Sequence, residues 1–126
     1  MAQSTVRHYE AKARSTDILG RVLCTARHHH FVMDGPVQAG FAGEAIGPGE
    51  AFLAGVAACG VELVQALARD DGMSLTGVKV GITGMLDRAN PVRKDVNLFN
   101  SVSLDFELSG VTQAEADSLI ERFRGR

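Results

Sequence analysis

Two cysteines are the residues of this chain that could carry out covalent chemistry. Cys59 ends the run PGEAFLAGVAAC, and Cys24 lies in a segment rich in β-branched residues. A thiolate can attack a peroxide or a disulfide, but a cysteine among apolar residues is more often a small buried hydrophobe. Because Cys59 falls in the middle of a predicted helix, the helix dipole helps a thiolate there very little. Catalysis by Cys59 therefore requires a cation from another part of the protein.

Glu50 is the acidic residue nearest to Cys59 on its N-terminal side. It falls in the first turn of the same helix, where a carboxylate stabilises the positive end of the dipole by roughly a few tenths of a kcal/mol. The spacing corresponds to ~13 Å of rise and about half a turn of rotation along a straight helix. Glu50 therefore cannot touch Cys59 of its own chain, and cooperation between them requires two subunits.

The triplet His28-His29-His30 raises the question of a metal site. On a strand, His28 and His30 share one face and His29 points away. Zinc sites normally have about three or four protein ligands. Asp34 is close in sequence, but no cysteine, aspartate or glutamate stands at a recognisable ligand spacing. We therefore predict no metal site and no cofactor.

The helix that carries Cys59 is predicted over residues 50–69 and is apolar on every side over its first turns. A helix of this kind must be buried all round. Pro48 is favoured at its start, and Gly72 is a plausible C-cap. The preceding loop, residues 35–49, contains five glycines and two of the three prolines.

Strands are predicted on both sides of this helix. Residues 4–13 could form an edge strand, and residues 17–33 contain two strands or one bent ribbon. Residues 75–88 and 97–108 alternate and could pair as a long hairpin. Their predicted inward side chains are Val78, Val80, Ile82, Leu86, Leu98, Val102, Leu104, Phe106 and Leu108.

A last helix begins at the capping box Thr112-Gln113-Ala114-Glu115, and its buried stripe consists of Leu119, Ile120 and Phe123. Runs of strands separated by helices favour an α+β fold over a doubly wound sheet.

Length and composition are those of a single globular domain over residues 1–126. The net charge of −2 gives no indication of nucleic-acid binding. The longest uncharged apolar stretch, residues 51–61, is too short for a bilayer span of ~20 residues, so we predict no membrane segment. The polar N-terminus lacks a signal-peptide core, and two cysteines form no disulfide framework, which together predict a cytoplasmic location.

The segment PGEAFLAGVAAC resembles the signature of the OsmC/Ohr (osmotically inducible protein C, organic hydroperoxide resistance) family. Residues 31–36, 72–78 and 104–110 resemble further pieces of the family in the same order, so the resemblance covers nearly the whole chain. Glu50 stands nine residues before Cys59, which is the spacing of the OsmC-like branch; Gly49 occupies the position that the best-known peroxidases give to the glutamate.

The resemblance implies an intertwined homodimer in which two central helices pack between antiparallel sheets. It also implies a thiol peroxidase, in which Cys59 attacks the O–O bond of an organic hydroperoxide while Glu50 and an arginine assist. Arg27 is the first choice for that arginine and Arg21 the second. The apolar walls that would favour organic hydroperoxides are Phe41, Phe52 and Val56.

In the family, a second cysteine in a Cys-Pro motif after the last helix resolves the sulfenic acid, and a dithiol reductant completes the cycle. The sequence ends at Arg126, about where that motif would begin. Cys24 alternates with Val22 and Ala26 and is expected to face a packed side rather than to replace the resolving thiol. The alternative function is a dimer that binds a small apolar molecule, with Cys59 as a packing residue.

Overall fold

The computed structural model of the chain describes residues 5–95 and 99–125. It contains two compact units, the first ending at Ala51 and the second beginning at Phe52. Each unit has its own antiparallel sheet. The mixture of helices and antiparallel sheets agrees with the predicted α+β class, and a single domain over residues 1–126 stays a prediction.

The first unit contains a three-stranded antiparallel sheet in the order β1-β2-β3. Its strands are β1, Lys12–Ser15, β2, Arg21–Ala26, and β3, His29–Asp34. The register places Cys24 opposite Ala13 on one side and opposite Phe31 on the other. Cys24 is 7% exposed, so the prediction that it faces a packed side is confirmed. Of the two arrangements predicted over residues 17–33, two strands or one bent ribbon, two strands are found, and the second ends one residue later at Asp34.

The edge strand predicted over residues 4–13 was placed too early. β1 begins only at Lys12, and the described residues before it have no regular secondary structure. Tyr9 is 87% exposed, and all residues of β1 are exposed. The described part of the segment therefore has no buried face, and pairing with β2 decides where the strand lies.

The loop after β3 packs on the backbone of its own unit. It contains a short 3-10 helix, Val37–Ala39, which ends at Gly40 with a φ of 87°. The ring of Phe41 lies so close to Gly20 and Gly35 that a Cβ atom on either glycine would overlap it. Glycine at these two positions thus lets the aromatic ring anchor the loop to the sheet.

Helix α1 spans Pro48–Asp70, slightly more than predicted at each end. Proline is favoured at the first position because its missing N–H would have no partner there. At the other end Gly72 has a φ of 67°. Its N–H donates to the carbonyl of Arg69 at 3.1 Å, and the N–H of Met73 donates to that of Ala68 at 2.9 Å. This pair of bonds forms a Schellman motif and confirms the predicted C-cap.

The second unit packs the C-terminal half of α1 and a second helix against a two-stranded sheet. Its other elements are β4, Gly77–Met85, β5, Ser101–Ser109, and α2, Gln113–Arg124. β4 and β5 pair as the predicted antiparallel hairpin. The buried core consists of Val64, Leu67, Ala68 and Leu119, and the half-buried hydrophobic residues packed against it include Val78, Phe106, Leu108 and Phe123.

The inward face of the hairpin is confirmed in its middle but not at its end. Val80, Ile82 and Leu104 are half-buried. Leu86, by contrast, is 47% exposed and lies beyond the end of β4, and Val102 is 40% exposed. Val102 pairs with Gly84, which offers no side chain for cross-strand packing. Leu98 lies outside the described residues.

α2 begins at the predicted capping box. The side chain of Thr112 accepts from the N–H of Glu115 at 3.2 Å, and the N–H of Thr112 donates to the Glu115 carboxylate at 2.9 Å. Leu119 is fully buried and Ile120 is half-buried. Phe123 is half-buried and meets Phe106 edge-on at a centroid distance of 5.2 Å. The predicted start and buried stripe of this helix are therefore confirmed.

α1 is only partly buried within the single chain. Its buried residues are Gly60, Val64, Leu67 and Ala68, and Phe52 near its start is 60% exposed. The all-round burial predicted from its apolar sequence is therefore not reached. Packing against the sheet and α2 covers a stripe in the C-terminal half, and the apolar N-terminal half stays largely exposed.

By length and composition alone, α1 is also apolar enough to cross a membrane. The prediction of no membrane segment rested on the short length of the uncharged stretch, residues 51–61. The helix, however, remains apolar on average beyond Glu62. The core helix of a water-soluble protein passes the same test. The absence of a membrane segment therefore stays a prediction.

Candidate functional site

Cys59 lies on α1 directly before the buried Gly60, and its thiol is free and exposed. One turn earlier, at Gly55, an added Cβ would meet no atom within 4 Å. The sulfur is thus not enclosed by hydrocarbon in the single chain. Glu62, one turn later, is also exposed and would oppose a thiolate that shared its environment.

Glu50 occupies the predicted first turn of α1 and is exposed. Its Oε1 atom accepts a hydrogen bond from the backbone N–H of Gly47 at 3.0 Å. The first helical bond joins the N–H of Ala51 to the carbonyl of Gly47 at 2.9 Å. The carboxylate therefore caps the start of its own helix.

Arg27 lies in the turn between β2 and β3 and is exposed. Its φ of 54° is uncommon for a residue other than glycine. The length of β3 separates this turn from Asp34 by about 17 Å at ~3.4 Å per residue. Arg27 is therefore at the opposite end of the hairpin from the loop that leads into α1.

Arg21, Asp34 and Glu44 form a charged group that we call the Asp34 cluster. Arg21 and Asp34 are direct partners in the β2–β3 register. The Nη2 atom of Arg21 lies 2.8 Å from Oδ2 of Asp34 and 3.0 Å from Oε1 of Glu44. The Asp34 side chain is fully buried, whereas those of Arg21 and Glu44 are 22% and 73% exposed.

The ionisation of Asp34 and Arg21 is mutually reinforced. The Arg21 hydrogen bond and the backbone N–H of Glu44 lower the pKa of Asp34, although burial opposes them. The hydrogen bond to Asp34, followed by that to Glu44, raises the pKa of Arg21 above its ordinary value. Both groups stay charged near neutral pH because each charged form is held by the other.

The sequence alone does not reveal this cluster. In the sequence, Asp34 stands out only as an acidic residue close to the histidine triplet, and Arg21 only as the second choice for a catalytic arginine. The sequence feature that could have indicated the cluster is an arginine at the start of one strand and an aspartate at the end of the next strand. That signal becomes meaningful only once the hairpin register is known, because a shift by one residue would move both side chains to the other face.

Each unit contains a surface pocket. The pocket of the first unit has a volume of about 230 Å³ and adjoins the Asp34 cluster. It is lined by Asp34, Gly35, Pro36, Val37, Gln38, Gly43, Ala45, Gly47 and Glu50. The pocket of the second unit, about 370 Å³, is lined by Gln65, Ala68, Arg69, Met73, Leu75, Thr76 and Gly77. Neither lining contains a cysteine.

The predicted apolar walls have different surroundings. Phe41 packs on the glycines of its own unit, as described above. Phe52 stacks on Phe99 at a centroid distance of 5.9 Å, and Val56 is half-buried on α1. Phe41 therefore has a clear structural role in its loop, whereas Phe52 remains largely exposed.

The histidine triplet differs from its predicted arrangement. His28 belongs to the turn, so it does not share a strand face with His30. The Nδ1 atom of His30 lies 2.9 Å from the hydroxyl of Thr25. Within the described residues, no three histidine, cysteine, aspartate or glutamate side chains are grouped as metal ligands.

Comparisons with known proteins agree on the family of this fold. The sequence model of the family described as OsmC-like protein matches residues 41–126. An OsmC-like protein of Mycoplasma pneumoniae superposes with a TM-score of 0.80 at 19% identity, over 95% of this chain and 82% of that one. No significantly similar sequence is found among curated proteins.

Two further solved structures carry names that refer to hydroperoxides. The organic hydroperoxide resistance protein OsmC of Legionella pneumophila is 27% identical, with a TM-score of 0.69 over 94% of this chain and 82% of that one. The organic hydroperoxide resistance protein OhrB of Bacillus subtilis is 20% identical, with a TM-score of 0.59 over 91% and 82%. The predicted OsmC-like fold is confirmed.

The Asp34 cluster predicts a pH dependence of stability. Because the pKa of Asp34 is lower in the folded protein than the ~3.9 of an unfolded aspartate, its stabilisation is complete above that value and is lost as pH falls through the folded pKa. We expect Asp34→Asn to lower the free energy of unfolding at neutral pH and to have progressively less effect below about pH 4.

Urea unfolding of both proteins at several pH values measures this difference. Asp105→Asn, at an exposed position of β5, is the matched control and should show little effect at any pH. An Asp34→Asn effect that is equally large at neutral and strongly acidic pH would contradict the prediction.

Proposed function

Since the chain belongs to the OsmC-like protein family, we propose that it is a cytoplasmic, homodimeric thiol peroxidase that reduces organic hydroperoxides in oxidative stress defence. The observation that carries the proposal is Cys59, a free and exposed thiol on the apolar helix within the part of the chain that matches the family. The names of the Legionella and Bacillus proteins support this class of substrate.

The proposed reaction begins when the Cys59 thiolate attacks the distal oxygen of the hydroperoxide. An S–O bond forms, the O–O bond breaks, and the departing alkoxide takes up a proton to leave as an alcohol. The cysteine is thereby oxidised to a sulfenic acid, and a dithiol reductant returns it to the thiol with release of water. The exposed position of Cys59 is compatible with access for both reactants.

The proposed dimer follows from the surface of α1. Phe52 is largely exposed, and the small residues Ala54, Gly55 and Ala58 allow another backbone to approach closely. A second copy of the chain would cover this apolar surface. In such a dimer, Glu50 of one subunit could act beside Cys59 of the other.

The positive charge that a thiolate needs is assigned to Arg27, with Arg21 as the second choice. A guanidinium is always charged and can hold a carboxylate through two donors, which makes arginine suitable for both tasks. Arg27 is exposed and therefore available to another subunit. Arg21 is already held by Asp34 and Glu44.

A binding protein on the same scaffold is the second candidate. The observation in its favour is that the two pockets described above contain no cysteine in their linings. In that case Cys59 would be covered by packing in the dimer and a small apolar molecule would be the ligand. The reactivity of the Cys59 thiol distinguishes the two functions.

We expect Cys59→Ser to reduce the consumption of cumene hydroperoxide by the reduced protein at least ~100-fold, because serine cannot serve as the nucleophile under these conditions. Cys24→Ser is the matched control, because it removes the buried thiol of the first unit and should leave the rate near that of the wild type. Equal rates for Cys59→Ser and wild type would contradict the peroxidase.

In the wild type, rapid modification of Cys59 by a thiol reagent at neutral pH is expected, and an inert Cys59 would favour the binding protein.

A mixing experiment tests the role of Glu50 across the dimer. Glu50→Gln and Cys59→Ser should each be nearly inactive alone. After dissociation and reassociation of an equal mixture, half of the dimers would contain both variants, and each of these would have one intact site. We therefore expect recovery of about a quarter of the wild-type activity. No recovery in mixtures that do exchange subunits, as measured by native mass spectrometry, would contradict a site shared between subunits.

We expect Arg27→Gln to lower kcat/KM for the hydroperoxide by at least ~10-fold, because the thiolate would lose its positive neighbour. The same variant should slow the reaction of Cys59 with a thiol reagent. Arg14→Gln, at an exposed position of β1, is the matched control and should change neither rate. An unaffected Arg27→Gln protein would contradict the assignment and leave Arg21 as the candidate.

A further inference from the structure

The Asp34 cluster also holds the loop that leads into α1. Oδ2 of Asp34 accepts a hydrogen bond from the backbone N–H of Glu44 at 2.9 Å. The backbone N–H of Asp34 donates to the carbonyl of Ile46 at 3.0 Å. One residue thus binds the loop at two places, through its side chain and through its backbone, just before the helix begins.

From Ile46 the connection continues directly to Glu50. The N–H of Gly47 donates to the Glu50 carboxylate, and the carbonyl of Gly47 accepts the first hydrogen bond of α1. A Cβ on Gly47 would lie 3.5 Å from the carbonyl oxygen of Asp34 and 3.4 Å from Oε1 of Glu50. Gly47 therefore lies near both acidic residues, and its backbone N–H holds the Glu50 carboxylate.

The stabilisation that Asp34 provides is partly offset by the cost of burying its carboxylate. Its side chain is fully buried, and Oδ1 forms no hydrogen bond of normal geometry among the described residues. A buried polar atom without a partner is unfavourable, and apolar residues can often replace a buried ion pair without loss of stability. A short carboxylate, however, can bind Arg21 and a backbone N–H of the loop at the same time, which an apolar side chain cannot.

We propose that Asp34 is a positioning residue that, paired with Arg21, fixes residues 44–47 and thereby the place of the Glu50 carboxylate. Its catalytic consequence rests on the proposed function, in which Glu50 acts at the thiol of the partner subunit. Displacement of a catalytic group by about 1 Å is enough to reduce a rate by ~100-fold, even when the substitution is far from the reacting atoms.

Amide hydrogen exchange, followed residue by residue by NMR, tests the positioning without reference to activity. In Asp34→Asn, the amides of Glu44 and Gly47 should exchange at least ~10-fold faster than in the wild type, because the loop opens more often. The amides of Met73 and Thr76, which donate to backbone carbonyls in the second unit, should keep their protection.

Glu44→Gln is the matched control. It removes the exposed carboxylate of the cluster but keeps the backbone N–H that binds Asp34, so exchange at Glu44 and Gly47 should stay near the wild-type rate. If Asp34→Asn does not fold, Arg21→Lys provides the same test, since lysine keeps the charge but loses the planar guanidinium. A twofold or smaller change at these amides in the folded variant would overturn the proposal.

Activity provides the second part of the test. Asp34→Asn should lower kcat for cumene hydroperoxide by ~10-fold or more with little change in KM, because the loop positions Glu50 and does not contact the substrate. Faster loop exchange with an unchanged kcat would overturn the catalytic role of Asp34. An inactive wild-type protein would refute the proposed function instead, and the exchange rates would still decide whether Asp34 fixes the loop.

Discussion

The apolar surface of α1 is larger than its own chain covers, and much of the molecule depends on this imbalance. The sheet and α2 of the second unit enclose a stripe that contains Val64, Leu67 and Ala68. The N-terminal half of the helix, which carries Cys59, stays largely exposed. Water disfavours such a surface, so whatever covers it also defines the surroundings of the thiol. The proposed dimer and the proposed chemistry are therefore linked by one physical requirement.

The first unit is organised by a different kind of interaction. A fully buried carboxylate needs partners, and Asp34 finds them in Arg21 and in the backbone of the following loop. The ring of Phe41, lying against Gly20 and Gly35, also holds this loop. These contacts hold the glycine-rich segment against the sheet at several points, although its composition is typical of a mobile loop. The first turn of α1 follows directly and is therefore held in place as well.

Membership of the OsmC-like family limits the possible functions but does not select among them, because a fold can carry more than one activity. The chemical argument rests on the thiol, the carboxylate and the arginine, and these lie on different elements. Glu50 is engaged in capping its own helix, and Arg27 lies in a hairpin turn away from that loop. In the proposed site these residues come from two subunits, which is why the proposed peroxidase and the proposed dimer must be tested together.

Local patterns in the sequence were sufficient for the two helices and for the β4–β5 hairpin, but not for the position of β1. The alternation of β4 and β5, the capping box at Thr112 and the glycine C-cap at Gly72 depend on neighbours a few residues apart. The two caps are found where they were predicted, and the alternation holds in the middle of the hairpin. Long-range packing decided the rest. The exposure of Cys59, the exposed end of the hairpin at Val102 and the pairing of Arg21 with Asp34 depend on which surfaces meet after folding and on the strand register. The hydrophobic pattern of a segment indicates how apolar the segment is. Only tertiary packing determines which of its faces are covered and which charged residues are brought together.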